Sequence, residues 1–209
     1  MSMRKHSFEI GFYYHIYNRG VDKRSIVEDK KDLDRFIQGL DLFNNEEPIG
    51  SIFEYNFKKN KLRSKAPKLV EILAYCVNPN HYHFILTPIK ENGIEKFMQR
   101  IGGYSKYFNE KYKRSGALFQ GKFKSKLIED ENYLKKLSSY VNMNNRDSDG
   151  VKVFELSKSS LEEYIGKESD LCDVKTVLDL FKDKKDFFEY VKLSWQETLD
   201  KKEFEKLQN

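Results

Sequence analysis

Residues 70–89 read VEILAYCVNPNHYHFILTPI, and the reading of this stretch decides the fold. Two runs rich in β-branched and aromatic residues, 70–77 and 81–89, flank Asn78-Pro79-Asn80. That is the pattern of two strands joined by a tight turn. Side chains along a strand alternate between its faces. Tyr82, Phe84 and Leu86 therefore share one face, while His81 and His83, two of only four histidines, share the other. Two neutral imidazoles at that spacing can hold one metal ion between them. The plainer reading is a half-buried pair at the edge of a loop. For an isolated His-x-His it is the commoner one, because a metal site also needs a third ligand and outer hydrogen bonds.

Working outward from the hairpin, FYYHIYNRG (12–20) reads as a strand ending at Asn-Arg-Gly. Leu33, Phe36, Ile37, Leu40 and Phe43 recur at helical spacing behind Asp29, a candidate cap. SIFEYNFK (51–58) alternates as a strand should, and the basic loop KNKLRSKAPK (59–68) leads into the hairpin. GIEKFMQRIGGYSKYFNEKYK (93–113) predicts a long helix, interrupted or loosened at Gly102-Gly103. KFKSKLIED (122–130) predicts an extended segment, and ENYLKKLSSYVNMNN (131–145) a helix. The order β-α-β-β-α-β-α predicts an α+β protein: a split βαβ (ferredoxin/RRM-like) antiparallel sheet with helices on one face. SLEEYIG, VKTVLDLF and KDFFEYVKLSWQETLDKKEFEKL predict two or three further helices. The expected organisation is a domain over 1–148 and a helical C-terminal extension over 149–209.

Charge is unevenly spread. The net formal charge is +5, yet residues 100–126 carry eight basic side chains against the single acid Glu110, or +7. Residues 151–209 hold 11 basic and 14 acidic groups. Tyr104, Tyr107, Phe108, Tyr112, Phe119 and Phe123 thread the basic stretch. Cations neutralise phosphates and aromatic faces stack on unpaired bases, so the stretch suits a single-stranded polyanion; it equally suits a solvated helix face whose aromatics serve the core. No apolar run approaches the roughly 20 residues of a membrane span, and MSMRKHSFEI lacks the apolar centre of a signal peptide. Cys76 and Cys172 match no metal or redox spacing, which points to the reducing cytoplasm.

A third ligand can come from the helix at 131–145, where Tyr140 and Asn144 lie one turn apart on one face. An amide oxygen is a hard neutral ligand suited to magnesium or manganese, and a tyrosine beside such an ion can attack phosphorus. On periodicity alone the plainer reading prevails, that Tyr140 is one more helical aromatic packing beside Leu137 and Val141. His6 and His15 match no ligand spacing, and His15 reads as a core or surface residue of the first strand.

Together these pieces resemble the single-tyrosine HUH transposases. YHIYNRG followed by DLDRFIQGL is similar to their opening strand and helix, and NPNHYHFIL to their PNHxHxxL signature. YSKYFNEKYKRSGALFQGKFKSKLIEDENYL resembles the block before the catalytic helix, and LSSYVNMN the segment bearing the nucleophile. The nearest branch is that of the REP-associated tyrosine transposases, over about residues 10–146. The resemblance implies His81, His83 and Asn144 as ligands of a divalent ion (Mg2+ or Mn2+) and Tyr140 as nucleophile. It implies cleavage and rejoining of single-stranded or hairpin DNA through a 5′-phosphotyrosine link. Lys113, Arg114, Lys122, Lys124 and Lys126 would hold phosphates, with Lys106, Arg19 and Arg24 as further DNA-binding candidates. Monomer and homodimer both fit it.

Two positions depart from the family pattern. Tyr82 stands where a Val, Met or Leu is usual, and its hydroxyl must find a partner or reach the surface. Asn145 stands where a proline often follows the amide ligand, leaving Asn142, Asn144 and Asn145 all available, with spacing favouring Asn144. Two other functions fit parts of the pattern: a catalytically inactive single-stranded nucleic-acid-binding module derived from a transposase, and a His-pair phosphoesterase. The second would want two HxT or HxS motifs, which the sequence lacks, or more carboxylates near the histidines.

Overall fold

The hairpin forms as its sequence predicts: β2 (Val70–Val77) and β3 (His81–Pro88) pair antiparallel across the turn at Asn78–Asn80. The computed structural model describes residues 7–50, 52, 67–167, 169 and 171–207. Apart from the buried Ile52, the strand expected at 51–58 and most of the basic loop after it lie outside the described residues. β1 (Tyr13–Arg19) pairs antiparallel with β3 on one side and with β4 (Lys124–Ile128) on the other. A two-residue strand β5 (Lys158–Ser159) extends the other edge, giving a five-stranded sheet in the order β4-β1-β3-β2-β5.

Period-two alternation sends the sheet's side chains into two cores. Tyr14 and Ile16 of β1, Val70, Ile72, Tyr75 and Val77 of β2, and Tyr82, Phe84 and Leu86 of β3 face one of them. Three helices supply its other wall: α1 (Lys30–Leu42), α2 (Gly93–Gly102) and α3 (Tyr104–Lys111). The long helix expected at 93–113 is thus two, broken at the glycine pair. Gly103 ends α2 and begins α3. Asp29 caps α1 as expected, accepting a hydrogen bond from the Asp32 N–H.

A bulge in β2 between Ile72 and Ala74 turns Leu73, Ala74 and Cys76 together toward the second face. There α4 (Glu131–Met143) packs through Leu134, Leu137 and Val141. The helices α1–α3 therefore occupy one face, as the split βαβ pattern predicts, while α4 and the C-terminal helices cover the other. Those helices are α5 (Leu161–Tyr164), α6 (Val174–Leu178) and α7 (Lys184–Leu207). They are tied to the sheet. The Tyr164 hydroxyl donates to the Leu73 carbonyl at 2.7 Å, the Tyr75 N–H donates to Ser160 Oγ, and Phe187, Val191 and Trp195 join the core against α4. Both cysteines are free. Among the described residues, no helix is long and apolar enough to cross a membrane.

A buried carboxylate locks α1 to α3. Asp32 accepts from Lys111 Nζ at 2.6 Å, the Tyr112 hydroxyl at 2.7 Å, the Tyr107 hydroxyl at 2.9 Å and the Glu28 N–H at 3.0 Å. Burial alone would raise the Asp32 carboxyl, but these hydrogen bonds outweigh it and hold it below the usual carboxylate range. A depressed pKa contributes stability above the unfolded-state value, near 3.9, which is lost as pH falls through the lower folded value. Asp32→Ala leaves two buried hydroxyls and Lys111 short of an acceptor. It is expected to cost about 3 kcal/mol at pH 7 and to flatten the loss of stability below about pH 4. Equal urea midpoints for variant and wild type at pH 7 would refute the assignment.

Candidate active site

His81 and His83 emerge from β3 on the face that α4 covers, opposite the apolar anchors Tyr82 and Phe84. His81 Nδ1 lies 2.6 Å from Asn80 Oδ1, which can only accept, and Nε2 faces the Asn78 NH2 group, which can only donate, so both contacts are met in the tautomer with the proton on Nδ1. Its Nε2 then presents a lone pair. Nε2 stands 2.9 Å from Asn144 Oδ1, a second lone-pair atom, and the Asn78 amide lies 3.1 Å from the first and 2.8 Å from the second. An imidazole nitrogen and an amide oxygen thus face one point with no proton of their own between them. Such a donor pair could hold a divalent ion, with waters completing its shell.

His83 is held from the other side. Its Nδ1 lies 2.9 Å from His15 Nε2, and the rings stack with centroids 5.1 Å apart. β1–β3 pairing sets His15 opposite Ile85 and Tyr17 opposite His83, so both flank the histidine on the same face. Burial first, and the Lys126 charge second, push His15 down to about 4, so at neutral pH it is an uncharged imidazole able to accept. In the tautomer where His83 donates from Nδ1 to His15, Nε2 of His83 keeps its lone pair. This is the outer hydrogen bond that metal-bound histidines ordinarily make.

Tyr140 projects from α4 with its ring edge-on to His83, centroids 5.4 Å apart, and tilted against Trp195 of α7. Burial raises its pKa, a hydrogen bond with the Asn144 side chain works against that rise, and Cys76 adds a smaller upward push. The phenol is therefore protonated at neutral pH and must lose its proton to act as a nucleophile.

Of the three amides left open by the sequence, only Asn144, the residue capping α4, reaches the histidines. Asn142 accepts from Ser160 Oγ at 2.6 Å, and the Asn145 amide donates to Ser157 Oγ at 3.1 Å, both in the interior. Tyr82 is buried on the far face, stacked on Phe84, with its hydroxyl hydrogen-bonded to the Asn18 side chain.

Arg19 and Lys124 line an open cleft of about 500 Å³ that contains both histidines. Lys126 stands opposite His15 on the same sheet face, its Nζ 4.6 Å from the Tyr133 ring. Arg24 pairs with Asp22 in the exposed turn after β1, Lys113 and Lys122 are exposed in the α3–β4 connection, and Arg114 lies over the Phe108 ring. Lys106 sits elsewhere: on α3, against the other face of the sheet, it lines a separate cavity of about 420 Å³. Sequence reasoning missed His15, Asn78, Asn80, Lys23, Gln120 and Phe154 around the cleft. The asparagines were readable only as turn formers, and nothing local gives the cross-strand register that brings in His15.

In metal-free protein the His15 ring protons are expected to titrate near pH 4. Lys126→Met raises that value without restoring about 6.5, because burial is the larger cause. The folded chain then binds fewer protons than the unfolded one between these values, so stability falls as pH drops through that window. An NMR titration placing His15 at 6.5 would contradict this environment.

Comparison with known proteins follows the same outline. The model of the family described as "Transposase IS200 like" matches residues 11–144, from the start of β1 to Asn144. Among solved structures, the chain is similar to a REP-associated tyrosine transposase bound to a REP hairpin. The TM-score is 0.51, with 83% of this chain and 94% of that chain covered. At 15% identity this likeness shows the fold alone. No curated protein sequence matches. With the family model spanning every strand of the split βαβ unit and the whole helix that carries Tyr140, the chain belongs to the IS200-like transposases.

Proposed function

We propose that this protein cleaves and rejoins single-stranded DNA beside a hairpin, using Tyr140 as nucleophile and a divalent ion held by His81, His83 and Asn144. One observation carries the reading: His81 Nε2 and Asn144 Oδ1 face each other at 2.9 Å, while the Tyr140 ring abuts His83. A DNA hairpin as substrate is carried over from the structural neighbour and supported by the cations around the cleft.

Lys124 and Lys23, which line the cleft, would seat phosphates of the incoming strand, fixing the scissile phosphate beside α4. The bound ion would supply charge stabilisation on the non-bridging oxygens, for which magnesium or manganese suits the mixed nitrogen and oxygen donors. Tyr140 loses its phenolic proton to water and attacks phosphorus. The new bond joins the tyrosine oxygen to the 5′-phosphate, and the bond to the 3′ oxygen breaks, that oxygen leaving with a proton as a free hydroxyl. Attack by a DNA 3′-hydroxyl reverses the step and releases Tyr140. The phosphodiester energy is conserved in the tyrosine link, so no nucleotide cofactor is required. Asn78 and His15 hold Asn144 and His83 in place throughout, which spares the site reorganisation as charge develops.

Incubation with labelled hairpins bearing single-stranded flanks, with magnesium or manganese, should give a covalent protein–DNA species on a denaturing gel. Tyr140→Phe should abolish that species while leaving hairpin affinity within a few-fold. His81→Ala should reduce the adduct by at least about a hundredfold and weaken its metal dependence. Adduct formation by Tyr140→Phe would sink the assignment.

A further inference from the structure

We infer that the cleft beside the histidines contains a subsite for one unpaired nucleobase, stacked on Phe154 and read at its edge by Arg19 and Gln120. The inference rests on the proposed action on single-stranded DNA, and it assigns a role to a segment that the family match, ending at residue 144, does not reach.

Among the exposed large apolar residues described, Phe154 is the one that lines the cleft beside the histidines. It is 40% exposed, and it shares the cleft with Arg19, Lys124, Gln120, Tyr17 and the two histidines, whose polar tips sit on a lining that is mostly apolar. A large apolar ring left exposed in a cleft contributes little to folding, but it gives an unpaired base a face to stack on. Its backbone is tied to the end of the helix that carries Tyr140. The Asn145 amide donates to Ser157 Oγ, and the Ser157 hydroxyl donates to the Phe154 carbonyl at 2.6 Å. The Val153 N–H donates to the Asn145 carbonyl at 2.8 Å. Asn145 thereby gains a physical role. A proline there would lack the side-chain amide that anchors this loop next to Asn144.

The edge-reading pair is built with similar care. Arg19 Nε donates to Gln120 Oε1 at 2.6 Å, and the Gln120 backbone N–H donates to the Arg19 carbonyl at 2.8 Å. The loop bearing Gln120 is clamped to the end of β1 by the bridge between Gly20 and Phe119. Gly20 is required there, since a Cβ would lie 2.1 Å from the Arg24 carbonyl oxygen. With its amide oxygen already accepting from Arg19, Gln120 contributes chiefly the two donors of its NH2 group, and the guanidinium offers only donors. The pair therefore suits a base edge carrying adjacent acceptors, such as N7 and O6 of guanine, over the acceptor–donor edge of adenine.

The test measures binding, not cleavage. Full-length Tyr140→Phe protein is titrated, by fluorescence anisotropy, against labelled hairpins with single abasic substitutions along the flanking strand. One abasic position should weaken binding roughly five- to a hundredfold. In the Phe154→Ala background that penalty should shrink to within about twofold, and Phe154→Trp should restore it, which excludes a folding defect as the cause. Replacing guanine by 7-deazaguanine at the same position should matter when Arg19 and Gln120 are intact and not in Gln120→Leu. Equal abasic penalties with and without the Phe154 ring would overturn the subsite, even if wild-type protein forms the covalent adduct. Coupling to Phe154 would uphold it even if no adduct forms, so its fate is separate from that of the nucleophile.

Discussion

The alternation of side chains along β3 is the constraint on which the rest of the molecule depends. Tyr82, Phe84 and Leu86 are driven into the core beneath α1–α3, and each is essentially buried. Burial of large side chains of this kind contributes on the order of 2 kcal/mol apiece. That anchoring leaves His81 and His83 no choice of face. A slip of one residue in the β1–β3 register would turn both histidines into the core beneath α1–α3 and three large apolar groups toward α4, so the histidine pair is positioned by the hydrophobic effect acting on its neighbours.

A sheet used in this way cannot leave its second face open, because Leu73, Ala74, Cys76 and Ile85 also need cover. α4 supplies it, and in doing so brings Tyr140 and Asn144 over the histidines. α4 in turn is backed by α7, through Trp195 against Tyr140 and through the Ser139 hydroxyl donating to the Val191 carbonyl. The C-terminal helices thus bear on the site by holding its helix down, and the short strand β5 fastens the chain leading to them to the edge of β2. The polar pins lie at the periphery of the two cores: Asp32 between α1 and α3, Asn44 bonded to the backbone of Leu69 and Val70, and Ser160 bonded to Tyr75 and Asn142.

The two departures from the family pattern are both resolved by packing. Tyr82 keeps its ring in an aromatic stack with Phe84 and Phe36 and finds Asn18 for its hydroxyl, so its extra size and polarity are absorbed away from the histidines. Asn145 turns its side chain inward to Ser157 instead of toward the site.

What the sequence determined by itself was everything with a short period. The hairpin and its two-faced β3, the cap at Asp29, the break at Gly102-Gly103, the helix carrying Tyr140 one turn from Asn144, and the basic stretch before it all follow from spacings of two, three or four residues. Only the tertiary structure decided which distant groups meet. His15 reaches His83 across 68 positions and Asn144 reaches His81 across 63, through a strand register and a helix docking that no local pattern encodes. For the same reason Lys106 reads as part of one basic block yet stands on the far side of the sheet, while Phe154, in a stretch without periodicity, lines the cleft. Local propensities fix the elements; the burial of both faces of one sheet fixes their company.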